Sequence, residues 1–169
     1  MATVIRGSDN FDSADAGKVL QVKQTHHTSD FSTSSTSMVD ITGLNVSITP
    51  VSTSNKVLVS CVINFATSAT YLIAFNLLRG TTPIGIGTLG AGGPNYTASM
   101  GGVGTAGTTV VINFLDSPAS TTAQIYKVQL RMQAGAGTVY INRNADLNTT
   151  SDVYGGAMSS TITAMEIAG

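Results

Sequence analysis

One segment of the chain has the spacing of a nucleotide-binding loop. Gly85–Gly90 reads GIGTLG and fits the pattern G-x-G-x-x-G. That pattern holds a pyrophosphate only where a strand turns into a helix, with an acidic residue about 20 positions further on. The segment that follows, AGGPNYTASMGG, cannot begin a helix, and the next acidic residue is Asp116. We therefore interpret GIGTLG as a glycine-rich loop and predict no cofactor.

Histidine, cysteine and carboxylate side chains do not define a reactive centre. His26 and His27 are the only histidines, and neighbours in an extended chain point to opposite sides of a sheet. No set of ligands has the spacing of a zinc site, no serine is tied to a histidine, and no pair of carboxylates is singled out. Cys61 is the only cysteine, and its apolar surroundings, VLVSCVINF, predict a buried side chain. The sequence predicts no catalytic residue, no metal site and no enzyme.

Tyrosines beside polar loops are the remaining candidates for binding chemistry. Tyr96, Tyr140 and Tyr154 could stack on sugar rings, because an aromatic ring combines an apolar face with a polar tip. Ordinary packing of these side chains in the protein or at an interface is the simpler alternative.

The composition favours an assembled protein over a free monomer. The chain has 169 residues, of which 10% are charged, and its formal net charge is −1. A typical chain has about 25% charged residues, so this surface must be covered largely by hydroxyl groups and backbone. Because net charge is what keeps monomers apart in solution, such a surface predicts a permanent oligomer.

Several partners are excluded by the same composition. The eight Lys and Arg residues do not cluster, which excludes the electrostatic footprint of a nucleic-acid-binding protein. No apolar run approaches the roughly 20 residues that a membrane helix needs, and the first residues, MATVIRGSDNFDS, lack the apolar stretch of a signal peptide. We expect no nucleic acid, no membrane, and synthesis in a cytoplasm.

The elements that must position any site are strands, because hydrophobic residues recur with a period of two and no 12-residue stretch keeps a helical period. The clearest alternation is in the segment 123–133, where Tyr126, Val128, Leu130 and Met132 share the inward face. The predicted strands are Lys18–Gln24, Leu44–Thr49, Lys56–Ala66, Tyr71–Arg79, Thr108–Asp116, Ala123–Gln133, Thr138–Asn142 and Ser160–Ala168. The polar segment TSDFSTSSTS and the glycine-rich stretch Gly85–Gly107 are predicted to be loops, the former with a weakly paired edge as the alternative.

These strands predict an all-β fold, an antiparallel β-sandwich or jelly roll of about eight to ten strands. Residues 17–169 form one domain of adequate size for a core. Residues 1–16 are polar and form a short N-terminal arm. Strand order stays open, because hairpin and Greek-key connections have the same sequence pattern.

Several segments together resemble small β-domains in the virion proteins of tailed bacteriophages, especially those of cyanobacteria and other aquatic hosts. The segments are GKVLQVKQ, STSMVDITGLNVSITPVSTSNKVLV, FLDSPASTTAQIYKVQLRM, GTVYINR and STITAMEIA. The likeness runs from about Gly17 to the C-terminus. It implies a non-enzymatic virion structural role and a trimeric jelly-roll habit, and it carries no active site.

The resemblance leaves two functions open. Fibre proteins of this kind usually have a long N-terminal stalk, whereas about 16 residues precede the β-domain here. We therefore expect a capsid decoration or cement protein on the virion surface, in contact with the major capsid protein or another virion protein. The alternative is a head-fibre or tail-fibre tip that contacts host surface glycans. A tip should have a concave, aromatic-lined pocket on loops, and a cement protein a flat apolar surface.

The residues of two contacts can be predicted. Lys56–Ala66 and Tyr71–Arg79 are apolar on both faces, and a sandwich covers only one face of each strand. The predicted homotrimer interface is therefore the second face, with Leu58, Val62, Leu72, Ala74 and Leu78. In the arm, Val4, Ile5 and Phe11 are spaced as anchors of an extended peptide that docks on the particle. A tail without a role is the alternative for the arm.

Overall fold

The computed structural model describes residues 17–68, 70–89, 92–133, 137–146 and 156–169. It confirms the all-β prediction, with eleven strands and no helix among these residues, hence none able to cross a membrane. The strands are β1 (Val19–His27), β2 (Phe31–Thr33), β3 (Val39–Ile48), β4 (Lys56–Thr67), β5 (Tyr71–Arg79), β6 (Thr82–Ile84), β7 (Ala98–Val103), β8 (Thr108–Asp116), β9 (Gln124–Met132), β10 (Val139–Ile141) and β11 (Ser160–Ile167).

Two antiparallel sheets have the strand order of a jelly roll. In the first sheet β1, β11, β4 and β8 are successive neighbours, and β10 continues the β11 side of β4 and pairs with β2. In the second sheet β3, β9 and β5 are neighbours, and β6 and β7 pair along the other edge of β5. The eight main strands alternate between the sheets, apart from β5 and β7, which follow one another in the second sheet. This connection pattern is the double Greek key of a jelly roll.

The core lies between the sheets, where the alternating side chains of each strand meet. The inward side chains of β4 are fully buried, and so are Tyr126, Val128 and Leu130 of β9. Phe65 of the first sheet contacts Phe75 of the second edge to face, with ring centroids 5.2 Å apart. The predicted inward face of the segment 123–133 is therefore correct.

The loop prediction for the glycine-rich stretch was wrong in part. β7 lies inside Gly85–Gly107 and pairs with the edge of β5. β6 was not predicted as a strand either, whereas β2 matches the alternative of a weakly paired edge for TSDFSTSSTS, and the count of eleven exceeds the expected eight to ten. β2 pairs with β10, far along the chain, and β6 forms a hairpin with β5. All three strands have only three to six residues, which carry little periodic signal.

The outer face of β5 is partly covered by the chain itself. Residues 85–89 and 92–97, between β6 and β7, pass over this face, where Leu89, Pro94 and Tyr96 lie across from Leu72 and Ala74. These residues reduce the apolar surface that the sequence assigned to a neighbouring subunit.

A buried ion pair joins the two sheets at one end of the sandwich. Asp116 of β8 faces inward and is 6% exposed. Arg79 of β5 donates two hydrogen bonds from Nη1 to its carboxylate oxygens, at 2.9 and 2.8 Å, and the Tyr126 hydroxyl donates a third at 2.8 Å. Burial raises the pKa of Tyr126, and the hydrogen bond to Asp116 raises it further. The phenol therefore stays protonated and keeps donating.

Glu166 on β11 is the only glutamate in the chain, and it is fully buried. Oε1 accepts hydrogen bonds from the Val51 backbone N–H at 2.7 Å and from Asn55 Nδ2 at 2.5 Å, and Oε2 accepts one from Gln21 Nε2 at 2.6 Å. Burial alone would raise the pKa of Glu166, but these hydrogen bonds and one from the Ser52 backbone outweigh it and lower the pKa. The carboxylate thus joins the loop between β3 and β4 to β1 and β11.

Candidate interaction surfaces

The outward side chains of the first sheet form three rows across four strands. The strand register aligns Val22, Met165, Leu58 and Leu115 in one row, Gln24, Thr163, Ser60 and Asn113 in the next, and His26, Thr161, Val62 and Val111 in the third. We call these twelve positions the first-sheet face. None of them is Asp, Glu, Lys or Arg.

Apolar side chains on this face are accessible to solvent in the single chain. Val22, Val111 and Leu115 are 53%, 55% and 47% exposed. Leu58 and Val62, two of the predicted interface residues, are half-buried at its centre. A surface without acidic residues, lysine or arginine that exposes large apolar side chains is typical of a surface that is covered in an assembly.

The structure separates the predicted interface residues into two groups. Leu58 and Val62 lie on the outside of the first sheet, whereas Leu72, Ala74 and Leu78 belong to the second sheet, on the opposite side of the sandwich. Ala74 and Leu78 are 1% and 3% exposed, so the chain itself already buries them. One flat contact cannot include both groups.

The predicted docking residues Val4, Ile5 and Phe11 lie outside the described residues, and so does Tyr154. Tyr140 lies on the outer side of β10, where the Arg143 guanidinium stacks over its ring at 4.0 Å from the centroid. Arg143 also approaches the Asp30 carboxylate, with Nε 3.6 Å from Oδ2. One face of the Tyr140 ring is therefore occupied by the chain itself.

A pocket of about 430 Å³ lies on the outside of the second sheet, where residues 85–89 and 92–97 pass over β5. Ala74 and Ser99, which pair across β5 and β7, supply small side chains at its floor. Leu72, Arg131 and Gln133 line one side, and Leu89, Pro94 and Tyr96 line the other. We call it the β5 pocket. A neighbouring depression of about 330 Å³ shares Leu89, Pro94, Tyr96 and Ser99 with it.

Hydrogen bonds hold the loop wall of the β5 pocket in place. The Leu89 N–H donates to Asn95 Oδ1 at 3.0 Å, and the Gly87 N–H donates to the Tyr96 carbonyl at 3.1 Å. The next residue, Thr97, accepts a hydrogen bond on its hydroxyl from a backbone N–H of β5 at 3.0 Å. Tyr96 is thus fixed to the strand beneath it.

Arg131 is the only charged residue that lines the β5 pocket. Of the three arginines in the part of the chain that the structure describes, Arg79 and Arg143 face carboxylates at 2.8 and 3.6 Å. Within the same part Arg131 faces none. Its Nε donates only to the Met132 carbonyl, at 3.4 Å. The guanidinium can therefore pair with an incoming anion.

The two histidines point to opposite faces of β1, as expected. His26 is exposed in the third row of the first-sheet face, whereas His27 is 8% exposed and points inward. Burial lowers the pKa of His27. Within the described residues no three His, Cys, Asp or Glu side chains are grouped as metal ligands would be.

Sequence reasoning missed Arg131, Asp116 and Glu166 as residues with a specific environment. For Glu166 a signal was present, because it shares the inward face of β11 with Ile162 and Ala164. Asp116 has the same alternation on β8, with Val110 and Ile112. The sequence contains no such signal for Arg131, because its environment depends on residues 85–89 and 92–97.

No protein-family model matches the chain, and no curated protein matches it in sequence. Among solved structures, it is similar to a chain in the structure of the infectious bursal disease virus Gx strain. The TM-score is 0.44, and the identity is 15% over 91% of this chain and 38% of that chain. It is also similar to T=1 particles derived from infectious bursal virus, with a TM-score of 0.46 and 15% identity over 91% of this chain and 37% of that one. The chain spans less than two fifths of the length of these chains.

Proposed function

We propose that the chain is a non-enzymatic bacteriophage virion protein, a homotrimeric jelly-roll domain seated on the capsid as a decoration or cement protein. The observation that carries the proposal is the first-sheet face, which has no Asp, Glu, Lys or Arg and on which Val22, Val111 and Leu115 are exposed in the single chain. The segments that resemble phage virion proteins support the same role. The protein is made in the host cytoplasm and ends on the virion surface.

The size of the first-sheet face suits a subunit contact. Four strands at about 4.8 Å spacing and three rows about 6.8 Å apart give a planar area of roughly 400 Å². A standard interface buries about 800 Å² on each partner, so this face supplies about half of such a contact and its flanking loops have to supply the rest. Each apolar side chain that becomes fully buried contributes roughly 1.5 to 3 kcal/mol, less for those already half-buried.

The composition of the face favours copies of the same chain as the partner. A surface without Asp, Glu, Lys or Arg presents no charge that its own copy would repel. A three-fold axis beside the face brings the same apolar side chains of three copies together. The proposed trimer interface keeps Leu58 and Val62 and adds Val22, Val111 and Leu115. It leaves out the three β5 residues, two of which the chain itself buries.

The oligomeric state tests this proposal. Light scattering at micromolar concentration should give three chain masses for the wild type, and Val111→Asp should give a smaller species with the same circular dichroism. Val51→Asp is the matched control, because Val51 is a 71% exposed loop valine outside the face. It should remain trimeric. A soluble wild-type monomer, or dissociation by both substitutions, would contradict the proposed interface.

The attachment to the particle is proposed to involve residues 1–16, with Val4, Ile5 and Phe11 as anchors on the major capsid protein or another virion protein. An extended peptide gains affinity by pairing with a sheet edge, and three arms per trimer reinforce a weak single contact. Deletion of residues 2–14 should leave a folded trimer that no longer co-sediments with particles lacking the native protein. Full occupancy by the truncated trimer would assign the attachment to the β-domain.

The β5 pocket favours a second candidate, a head-fibre or tail-fibre tip that binds host surface glycans. It is concave and contains Tyr96 on a loop, which is the geometry expected of a tip. Images of the particle with the protein labelled distinguish the two roles. A decoration protein should lie over the shell at many equivalent positions, whereas a tip should lie at the distal end of a fibre.

A further inference from the structure

The β5 pocket combines three features that a single class of ligand requires. Ala74 and Ser99 leave space at its floor because their side chains are small, and their strands hold the backbone in register. Tyr96 supplies an aromatic wall, and Arg131 supplies one positive charge. Gln133 and Ser99 add neutral polar groups at the edge.

Arg131 determines the charge of the ligand. A guanidinium matches a carboxylate with two parallel hydrogen bonds, and such charge-assisted bonds are about twice as strong as neutral ones. Arg79 shows in this same chain how a guanidinium donates to both oxygens of a carboxylate, at 2.9 and 2.8 Å. No carboxylate among the described residues faces Arg131, so an anion that pairs with it comes from outside this part of the chain.

Tyr96 and its neighbours determine which uncharged part of a ligand fits the pocket. A tyrosine wall with amide and hydroxyl groups nearby suits a ring that has an apolar face and polar edges, as a sugar has. The loop that holds Tyr96 is braced by hydrogen bonds to Asn95 and to β5, so little ordering is required on binding. The adjoining depression beside Tyr96 leaves space for a second sugar unit.

We infer that the β5 pocket binds a carboxylated sugar, with the ring against Tyr96 and the carboxylate on Arg131. The inference rests on the second candidate function and is independent of the trimer interface on the opposite sheet. The ligand is an acidic unit of a surface polysaccharide in this arrangement. A neutral sugar of the same shape would leave Arg131 without its partner.

Ligand-observed NMR on the full-length protein tests the inference with D-glucuronate and D-glucose, which differ only by a carboxylate in place of a hydroxymethyl group. Glucuronate should bind at least about tenfold more tightly than glucose, and added salt should weaken its binding. Arg131→Gln should abolish this preference. Lys127→Gln is the matched control, because Lys127 lies on the same face of β9 but pairs with Asp40 at 2.7 Å.

Each outcome is informative. Equal binding of both sugars at the pocket would refute the role of Arg131 while sugar binding itself stood. 3-Phenylpropionate, which has a carboxylate and an aromatic ring but no sugar, is a third ligand for the same measurement. If it bound and glucuronate did not, the assignment of the pocket to a sugar would be refuted. If neither sugar bound, both the inference and the pocket of the second candidate would be overturned. Loss of glucuronate binding in Tyr96→Ala, with the trimer intact, would support the proposed stacking even if Arg131→Gln did not fold.

Discussion

Replacing Glu166 by glutamine tests whether the buried carboxylate stabilises the fold through the hydrogen bonds that it accepts. The glutamine oxygen can keep the Oε1 position, with the Val51 N–H and the Asn55 amide as donors. The NH₂ group then faces the donor Nε2 of Gln21, which also donates to the Thr49 carbonyl at 2.8 Å. Gln21 can keep its orientation, and its Nε2 donor then faces the new NH₂ donor. Alternatively its amide rotates, and the hydrogen bond to the Thr49 carbonyl is lost.

The expected cost follows from these contacts. Hydrogen bonds to a charged group contribute about 1.5 to 3 kcal/mol each and neutral ones about 1, so weakening two bonds and losing a third costs roughly 4 kcal/mol. Removal of a buried charge offsets part of this cost. We expect a decrease of about 2 to 4 kcal/mol in the free energy of unfolding, a large share of the roughly 5 to 15 kcal/mol of a typical domain.

The pH dependence of stability separates the contribution of the Glu166 charge from that of the side-chain shape. Because the folded-state pKa of Glu166 is lowered, its stabilisation is fully present above the unfolded pKa of about 4.3 and is lost as pH falls through the folded pKa. Glutamine does not titrate, so the variant does not lose stability through this group as the pH falls. The difference in stability between wild type and variant should therefore be largest near neutral pH and should shrink below about pH 4.

Urea unfolding followed by circular dichroism, at fixed protein concentration and at several pH values, measures these differences. Asp40→Asn is the control, since Asp40 is an exposed carboxylate whose pKa is lowered by its hydrogen bond to Lys127. Its effect should stay below about 1 kcal/mol, as for other surface ion pairs. A Glu166→Gln variant as stable as wild type at pH 7, or one whose deficit grows on acidification, would refute the reasoning.

Three further predictions concern buried groups and glycines. Asp116→Asn should lower the free energy of unfolding by about 2 to 4 kcal/mol and Tyr126→Phe by about 1, because the first leaves the partly buried Arg79 guanidinium without its anion; chemical denaturation measures both. The Cys61 thiol, whose pKa burial raises to about 12, should react with a thiol reagent only after unfolding, and rapid labelling of the native protein would contradict its burial. Gly85→Ala should destabilise more than Gly80→Ala in thermal unfolding. Both glycines have positive φ, +63° and +61°, but only at Gly85 would a Cβ meet an aromatic ring of β8, at 2.9 Å.

The sequence predicted the long strands well because their alternation is a local property. β5 and β8 have the predicted bounds, and the inward face of β9 is correct. β7 was missed because a strand containing two glycines has little pattern of its own and forms by pairing with β5. Sheet membership could not be predicted at all, since nothing local in β4 or β5 says which of the two sheets it joins.

The candidate surfaces were predictable only in part for the same reason. Leu58 and Val62 were identified correctly as outward apolar residues of β4. The same argument applied to Ala74 and Leu78 gave residues that the chain itself buries, because the segments that follow β5 fold back along it. The β5 pocket also depends on the segments that follow β5, so no pattern in the strands alone could indicate the pocket.

The position of β11 between β1 and β4 has a consequence for how the chain folds. The hydrogen bond between Gln21 and Glu166 joins residues 145 positions apart, and among the described strands β1 pairs with β11 alone. The first sheet therefore cannot close until β11 has been synthesised, and until then one edge of the apolar strand β4 is unpaired. Folds with such distant pairings fold slowly, in about milliseconds to seconds. During synthesis the nascent chain is thus open to association with other chains through β4 for longer than a helical protein of this size would be.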